Sequence, residues 1–561
     1  MPLRDLVLLS VMVLALAPRG RADEATGRGG IVATVHPLAT QAALDAFAAG
    51  GNAVDAAVAA GVTLGVVDGF NSGLGGGCFL LVHTAAGEVL ILDGRETAPA
   101  AATADMFVRD GRADTAASQT GPRAVAVPGA LAAYAEAQRR FGRLSLAAVV
   151  APAARIAAEG FVLDAGYARK IATKADDLRR FPASRALFFH ADGTPLAAGD
   201  RLVQPDLAAS HRQIAAVGPD WFYRGPFATA VGEWMAAHGG ILTAADFAAY
   251  RVVERVPLAT PYRGYTILGA PPPSSGGVHV AQILRMLEGH DLAAATAPGQ
   301  REHLLAESMK LAFADRAHWL GDPAFARVPR GLVDAAYCRA LAARIDPDLA
   351  APVPGAGTPP GADTDLFTGG RHTTHFSVAD AEGNWVACTA TINTTFGSKV
   401  IVPGTGIILN NEMDDFSVQP GVPNAFGLVG GAANAVAPGK RPLSSMSPTL
   451  VLEDGRPILA LGGAGGPTII SQTVQNLVRI LDLGQSPGEA LAGARIHHQW
   501  KPDRLVVEPG IPADVRAALT ARGHQLHVDT AIGVSQIVGR RPDGTFVGAS
   551  DPRVNGRAAG W

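Results

Sequence analysis

Small apolar residues recur at helical spacing from Leu38 to Val67, and Gly50-Gly51 interrupts them. This predicts one helix that ends at the glycines and a second that starts near Asn52. Phe79 to Val82 and Val89 to Leu92 flank Ala86-Gly87 and predict a hairpin, which puts Arg95 just beyond a strand end. From about Leu131 to Arg344 the pattern is mostly helical, broken at Pro271-Pro272-Pro273-Ser274-Ser275-Gly276-Gly277. Proline restricts the backbone there and glycine frees it, so a shaped loop is expected. Ala351 to Gly370 is rich in Pro, Gly, Ala and Asp without a period, the composition of an exposed, mobile connector.

Beyond the connector the period changes to two. Thr373 to Asp380 alternates like a strand, Ala381-Glu382-Gly383-Asn384 reads as a turn, and Trp385 to Thr391 answers as a second strand. Asp454-Gly455 and Asp543-Gly544 mark further hairpins, while Ser471 to Leu483 and Pro512 to Arg522 have helical spacing. Hairpins interleaved with helices imply an α+β protein in which helices cover antiparallel sheet. No internal repeat is evident.

Composition narrows the possibilities. The first residues, with Arg4, an apolar run from Leu6 to Ala17 and small residues at Gly20-Arg21-Ala22, read as an export signal over residues 1–22. The run falls short of the roughly 20 apolar residues a membrane span needs, so a periplasmic or secreted location without a mature membrane span is expected. A formal net charge of −3, with no Lys/Arg-rich run, argues against a nucleic-acid partner. Cys78, Cys338 and Cys388 are an odd set without metal spacing, suited to core or strand packing. His372, His375, His497 and His498 lack metalloprotease spacing, and Gly73-Leu74-Gly75-Gly76-Gly77 lacks the dinucleotide and phosphate-loop fingerprints. Neither metal nor cofactor is therefore expected. Close backbone packing is the better reading of the glycine run.

A threonine hydroxyl is a poor nucleophile near neutral pH without an adjacent base, and cleavage of His372-Thr373 would supply one as the new α-amino group. Downstream lie Thr391-Ile392-Asn393-Thr394-Thr395-Phe396-Gly397, Leu409-Asn410-Asn411-Glu412-Met413-Asp414-Asp415-Phe416, Pro442-Leu443-Ser444-Ser445-Met446-Ser447-Pro448-Thr449 and Gly465-Gly466. Upstream lie Gly50-Gly51-Asn52-Ala53-Val54-Asp55, Asp93-Gly94-Arg95-Glu96-Thr97, the Pro271 to Gly277 loop and Ala312-Phe313-Ala314-Asp315-Arg316. In this order, over nearly everything after the leader, the chain resembles the γ-glutamyltransferases, self-cleaving N-terminal-nucleophile hydrolases.

The resemblance implies a four-layer αββα sandwich of the N-terminal-nucleophile hydrolase type, formed jointly by a large subunit, 23–372 with linker 351–372, and a small subunit, 373–561. It implies that Thr373 releases itself from His372 and then attacks substrate, with Thr391 hydrogen-bonded to it and Gly465 and Gly466 donating N–H groups to the oxyanion. Arg95, Ser444 and Ser445 match the positions that bind the donor's α-carboxylate, and Asn393, Glu412 and Asp415 those that bind its amino group. Expected substrates are glutathione and other γ-glutamyl compounds, with water, amino acids or dipeptides as acceptors. Pro420 to Gly431 resembles a lid whose gate is commonly tyrosine; here Phe426 keeps the apolar cover but loses a hydroxyl. Two alternatives are a cephalosporin-acylase-like amidase on the same scaffold and an uncleaved, inactive γ-glutamyl-binding protein.

Overall fold

The computed structural model describes residues 22, 24–362, 364–367 and 375–561. Residues 1–21 of the predicted signal segment, and His372, Thr373 and Thr374, therefore lie outside the described residues. Two seven-stranded antiparallel sheets form the centre. In the first the strand order is Glu24–Gly27, Phe546–Ser550, Val534–Arg540, Arg456–Ala464, Thr449–Glu453, Tyr265–Gly269 and Leu258–Tyr262. In the second it is Arg557–Gly560, Gly30–Thr34, Phe376–Asp380, Trp385–Thr391, Gly77–His83, Val89–Asp93 and Val253–Arg255.

Side-chain alternation turns these two sheets into four layers, because successive residues of a strand face opposite ways. Ile31, Phe79 and Leu81 pack with Leu450, Ala460 and Val538 between the sheets. Their neighbours Val32, Leu80 and Val82 join helices Pro37–Ala48 and Ala53–Val67 on the outer side of the second sheet. Val451, Leu459, Leu461 and Ile537 do the same for the first sheet, against helices Ser275–Leu287, Gln300–Trp319 and Thr468–Leu481. The αββα sandwich expected from the resemblance is thus the observed fold. Segments from both sides of residue 373 contribute to each sheet: in the second, Phe376–Asp380 and Trp385–Thr391 lie between Gly30–Thr34 and Gly77–His83. A cut near residue 373 would leave the sheets interlocked.

Local expectations meet the structure in detail. Asn52 caps the second helix with a capping box shared with Asp55, and the Phe79–Leu92 hairpin forms with Phe79 opposite Asp93. All three cysteines are buried and unbridged. The stretch read as helical contains five strands, however: the short pair Phe161–Val162 and Arg201–Leu202, and Val253–Arg255, Leu258–Tyr262 and Tyr265–Gly269, which join the two large sheets. Tyr262 faces Tyr265 across a two-residue turn in which Arg263 (φ 53) and Gly264 (φ 89) are both left-handed. Such a turn favours Asn-Gly, and arginine in the first position hides the signal. Pro261 further weakens the strand pattern.

The connector is tied down along its described length. Ala351 N–H donates to Glu307 (3.2 Å) and its carbonyl accepts from Lys310 (2.6 Å). Trp500 Nε1 donates to Val353 (2.8 Å), Trp319 Nε1 to Gly357 (3.1 Å), and Gly357 N–H to Asp315 (2.7 Å). Composition cannot reveal such anchors because their partners lie far away in sequence. Among the described residues no helix is long and apolar enough to cross a membrane.

Candidate active site

Thr391 ends its strand opposite Gly77, and the glycine run explains how neighbouring chain comes so close. A Cβ on Gly76 would sit 1.7 Å from the Thr391 carbonyl oxygen, and one on Gly75 would sit 2.0 Å from that of Ile408. Thr391 Oγ1 accepts from the Asn393 N–H at 2.7 Å. Asn393 has φ 73, a left-handed conformation that asparagine tolerates, and its side chain donates to the Asn411 carbonyl (2.9 Å). Phe396 (φ 60) and Lys399 (φ 66) follow in the same unusual region. Strained backbone of this kind persists where the surroundings over-determine it.

Two asparagines provide that constraint. Asn410 is fully buried; its amide donates to the Gly75 (2.8 Å) and Ala126 (2.9 Å) carbonyls and its Oδ1 accepts from Glu412 N–H (3.0 Å). Asn411 Oδ1 accepts from Thr394 N–H (3.0 Å). They hold the Glu412–Asp415 turn against Arg95, which is 0 % exposed. Arg95 donates to Glu412 and, at 2.7 Å, to Asp415, and lies 3.5 Å from Glu96. Tyr250 OH (2.6 Å) and Arg441 (3.1 Å) both donate to the Arg95 carbonyl. Burial opposes the Arg95 charge, but Glu412, Glu96 and Asp415 outweigh it and push the pKa up. Burial in turn raises Glu412 well above the carboxylate range and Glu96 to about 7, with Arg95 pulling the other way.

Ser444 and Ser445 rest on the Pro271–Gly277 loop. Ser444 N–H donates to the Pro273 carbonyl (3.1 Å), Ser274 Oγ to that of Met446 (2.5 Å), and Ser275 Oγ to that of Ser444. Arg316 spans the two segments, donating from Nε to Ser275 Oγ (3.0 Å) and from Nη2 to Ser445 Oγ (3.1 Å). It is buried, which lowers its pKa to about 10. Its likeness to the family placed it in a motif without a role; only the fold brings its guanidinium to the serines.

Gly465 and Gly466 form the turn from strand Arg456–Ala464 to helix Thr468–Leu481. Their φ values of 131° and 58° suit glycine, and a Cβ on Gly466 would lie 2.6 Å from the Phe426 ring. The loop carrying Phe426 is fastened independently of any gate hydroxyl. Asn424 Oδ1 accepts from the N–H groups of Phe426 (3.0 Å) and Leu428 (3.1 Å), Ala425 N–H donates to Asp414 (2.9 Å), and Gln499 donates to the Phe426 carbonyl (3.3 Å).

One cavity of about 480 Å³ joins these parts: Thr391, Asn393, Glu412, Asp415, Phe426, Ser444, Ser445, Gly465 and Gly466 all line it, together with Arg316. Of the described candidate residues only Arg95 lies behind the wall, in contact through Glu412 and Asp415. The described histidines of the set considered for metal are otherwise engaged, and His372 lies outside the described residues. His375 lies 2.6 Å from Ser377 Oγ, His497 2.6 Å from Ser471 Oγ, and His498 3.2 Å from Asp503. Among the described residues a trio of ligand type, His303, Glu307 and His524, lies elsewhere; its imidazoles bond each other (2.8 Å) and its carboxylate pairs with Lys310 (2.7 Å).

A sandwich of two facing antiparallel sheets between helices, with strand ends and a glycine turn around one polar cavity, defines an N-terminal-nucleophile hydrolase. The gamma-glutamyltranspeptidase family model matches residues 39–561, and the chain belongs to that family. It is 44% identical over 537 residues to the glutathione hydrolase proenzyme of Escherichia coli (strain K12), covering 95% of this chain and 92% of the relative. It is also 41% identical over 543 residues to the Acylase ACY 1 proenzyme of Pseudomonas sp. (strain SE83), covering 95% and 93%. Its fold superposes on the crystal structure of cephalosporin acylase from Bacillus halodurans with a TM-score of 0.87 at 30% identity, covering 99% of both chains.

Proposed function

We propose that the chain is a proenzyme that cuts itself between His372 and Thr373 into a 23–372 large subunit and a 373–561 small subunit, then hydrolyses glutathione and related γ-glutamyl compounds. In this reading the α-amino group of Thr373 takes the hydroxyl proton as Oγ attacks the γ-carbonyl carbon. Negative charge collects on the carbonyl oxygen, where the N–H groups of Gly465 and Gly466 stabilise it; such preorganised donors supply about 3–4 kcal/mol each. The intermediate collapses with the proton passed to the leaving amine, and a γ-glutamyl ester remains on Thr373. Water, an amino acid or a dipeptide amine then attacks the ester and regenerates the hydroxyl. Export to the periplasm or medium through residues 1–22 belongs to the same reading.

The observation that carries this proposal is the inner end of the cavity, where Glu412 and Asp415 stand beside Ser444, Ser445 and Arg316. Acids for an ammonium, and serine hydroxyls of which Ser445 is backed by Arg316 for a carboxylate, together match an α-amino acid terminus. The amidase alternative acts on acyl groups that lack the amino group, and gives the two acids no ligand group to bind. Product analysis decides between them: glutathione should release glutamate and cysteinylglycine, and a glutaryl amide without the α-amino group should turn over far more slowly. Equal turnover favours the amidase. Active protein should contain a fragment beginning Thr373-Thr374-His375, and Thr373→Ala should stay one inactive chain; full activity in wholly uncut protein overturns the mechanism.

A further inference from the structure

The two ends of the cavity differ in charge. Its inner end mixes Glu412 and Asp415 with the cation Arg316, whereas its remaining wall carries Lys170, Lys174 and Lys399 against the single acid Asp177. Lys170 lies in the last turn of helix Ala165–Thr173 and Lys174 is the cap that follows it, and both line the cavity. Lys170 is exposed and Lys174 half-buried, which marks this as the mouth. Lys399 is only 3 % exposed and already donates to the carbonyls of Gly397 (2.7 Å) and Gln119 (3.2 Å) and to Thr394 Oγ1 (3.3 Å). It adds to the local field, while the other two lysines keep ammonium groups in reach of a ligand. Burial and then the Lys174 charge bring the Lys399 pKa down to about 8, in keeping with that proximity.

The walls are continuous between the two ends. Ile392 N–H, next to Thr391, donates to the Asn71 carbonyl (3.0 Å), and Asn71 lines the cavity with Lys170. Gln119, whose carbonyl accepts from both Lys399 and Asn411, links the lysines to the acidic turn. We propose that Lys170 and Lys174 form a subsite for the free carboxylate of the leaving or accepting amine, so that the mouth selects amino acids and short peptides with an uncapped C-terminus. The subsite rests on the γ-glutamyl reading above, because the amine must extend from the scissile bond toward the mouth.

The test compares acid and amide forms of otherwise identical ligands: glutathione against its C-terminal glycinamide as donor, and glycylglycine against glycylglycine amide as acceptor. In the unaltered protein the acid forms should have KM values lower by about three- to tenfold, with the gap narrowing in roughly 0.5 M NaCl, as half-exposed charge contacts do. In the Lys170→Gln, Lys174→Gln double variant the acid-to-amide ratio should approach one. Equal KM values in the unaltered protein overturn the subsite, and so does a preference that survives in the variant. If the variant fails to fold or to cut itself, the acid-to-amide comparison and its salt dependence in the unaltered protein decide alone. Failure to release glutamate from either donor sinks the γ-glutamyl reading instead.

Discussion

Behind the inner end of the cavity Arg95, Glu96 and Glu412 are buried, with Asp415 beside them on the same Arg95 guanidinium, whereas at the mouth Lys170 stands in solvent and Lys174 is half covered. The inner charges have given up water and depend on one another, so removing one strands the rest. The mouth charges keep their hydration and act through a screened field, so removing one changes a preference by degrees. The same kinds of side chain therefore hold structure together at one end and adjust selectivity at the other.

The severest test of this contrast is Arg95→Leu. It removes the guanidinium that Glu96, Glu412 and Asp415 share, and breaking a buried pair in this way typically costs about 3–5 kcal/mol. Placing it in the uncut Thr373→Ala chain removes differences in self-cleavage, and urea unfolding should then show a clearly lower midpoint. A midpoint within error of the parent would mean that water already reaches the cluster.

Gly466→Ala probes the junction between the two ends. The new methyl group meets the Phe426 ring and a left-handed backbone at once, so the oxyanion turn and the lid should both shift. Turnover of γ-glutamyl-p-nitroanilide should fall about a hundredfold or more, the usual consequence of losing an oxyanion donor. Combining it with Phe426→Ala should recover part of the loss if the ring clash contributes, and none if the backbone conformation alone matters.

A smaller effect concerns pH. The carboxyl of Glu96 is raised from 4.5 to about 7 by burial, so the folded chain holds a proton there that the unfolded chain releases. Stability should therefore fall as pH rises through that window, since the native state binds more protons than the unfolded one. Glu96→Gln should flatten this slope without abolishing it, because Glu412 is shifted in the same direction. Unfolding midpoints of the uncut chain at about pH 5 and about pH 8 measure the slope; identical slopes in the two proteins would place the effect elsewhere.

Much of this arrangement was legible before any coordinates. Helical and alternating periods located the helices around Asn52 and the hairpins at Gly383, Gly455 and Gly544, because period and turn chemistry are local properties. Arg95, Glu412, Asp415 and the two serines were legible through their likeness to a family, and apart from Arg95 they meet in one cavity. The Tyr262–Tyr265 hairpin was missed because arginine occupies a turn position where asparagine would have announced it. Phe426 drew attention for its missing hydroxyl, yet the loop is fastened through Asn424, Asp414 and Gln499.

What the sequence determined by itself was most of the elements and the chemistry available to them, since both follow from each residue and its near neighbours. Tertiary structure alone decided that Arg95 would lie behind the cavity wall rather than on it, and that Arg316 would reach Ser275 and Ser445. It alone set Lys170 and Lys174 on the same cavity as Glu412 and Asp415. Burial and charge pairing are properties of residues far apart in the chain: Arg95 meets Glu412 across 317 positions, and no local pattern records that distance closing.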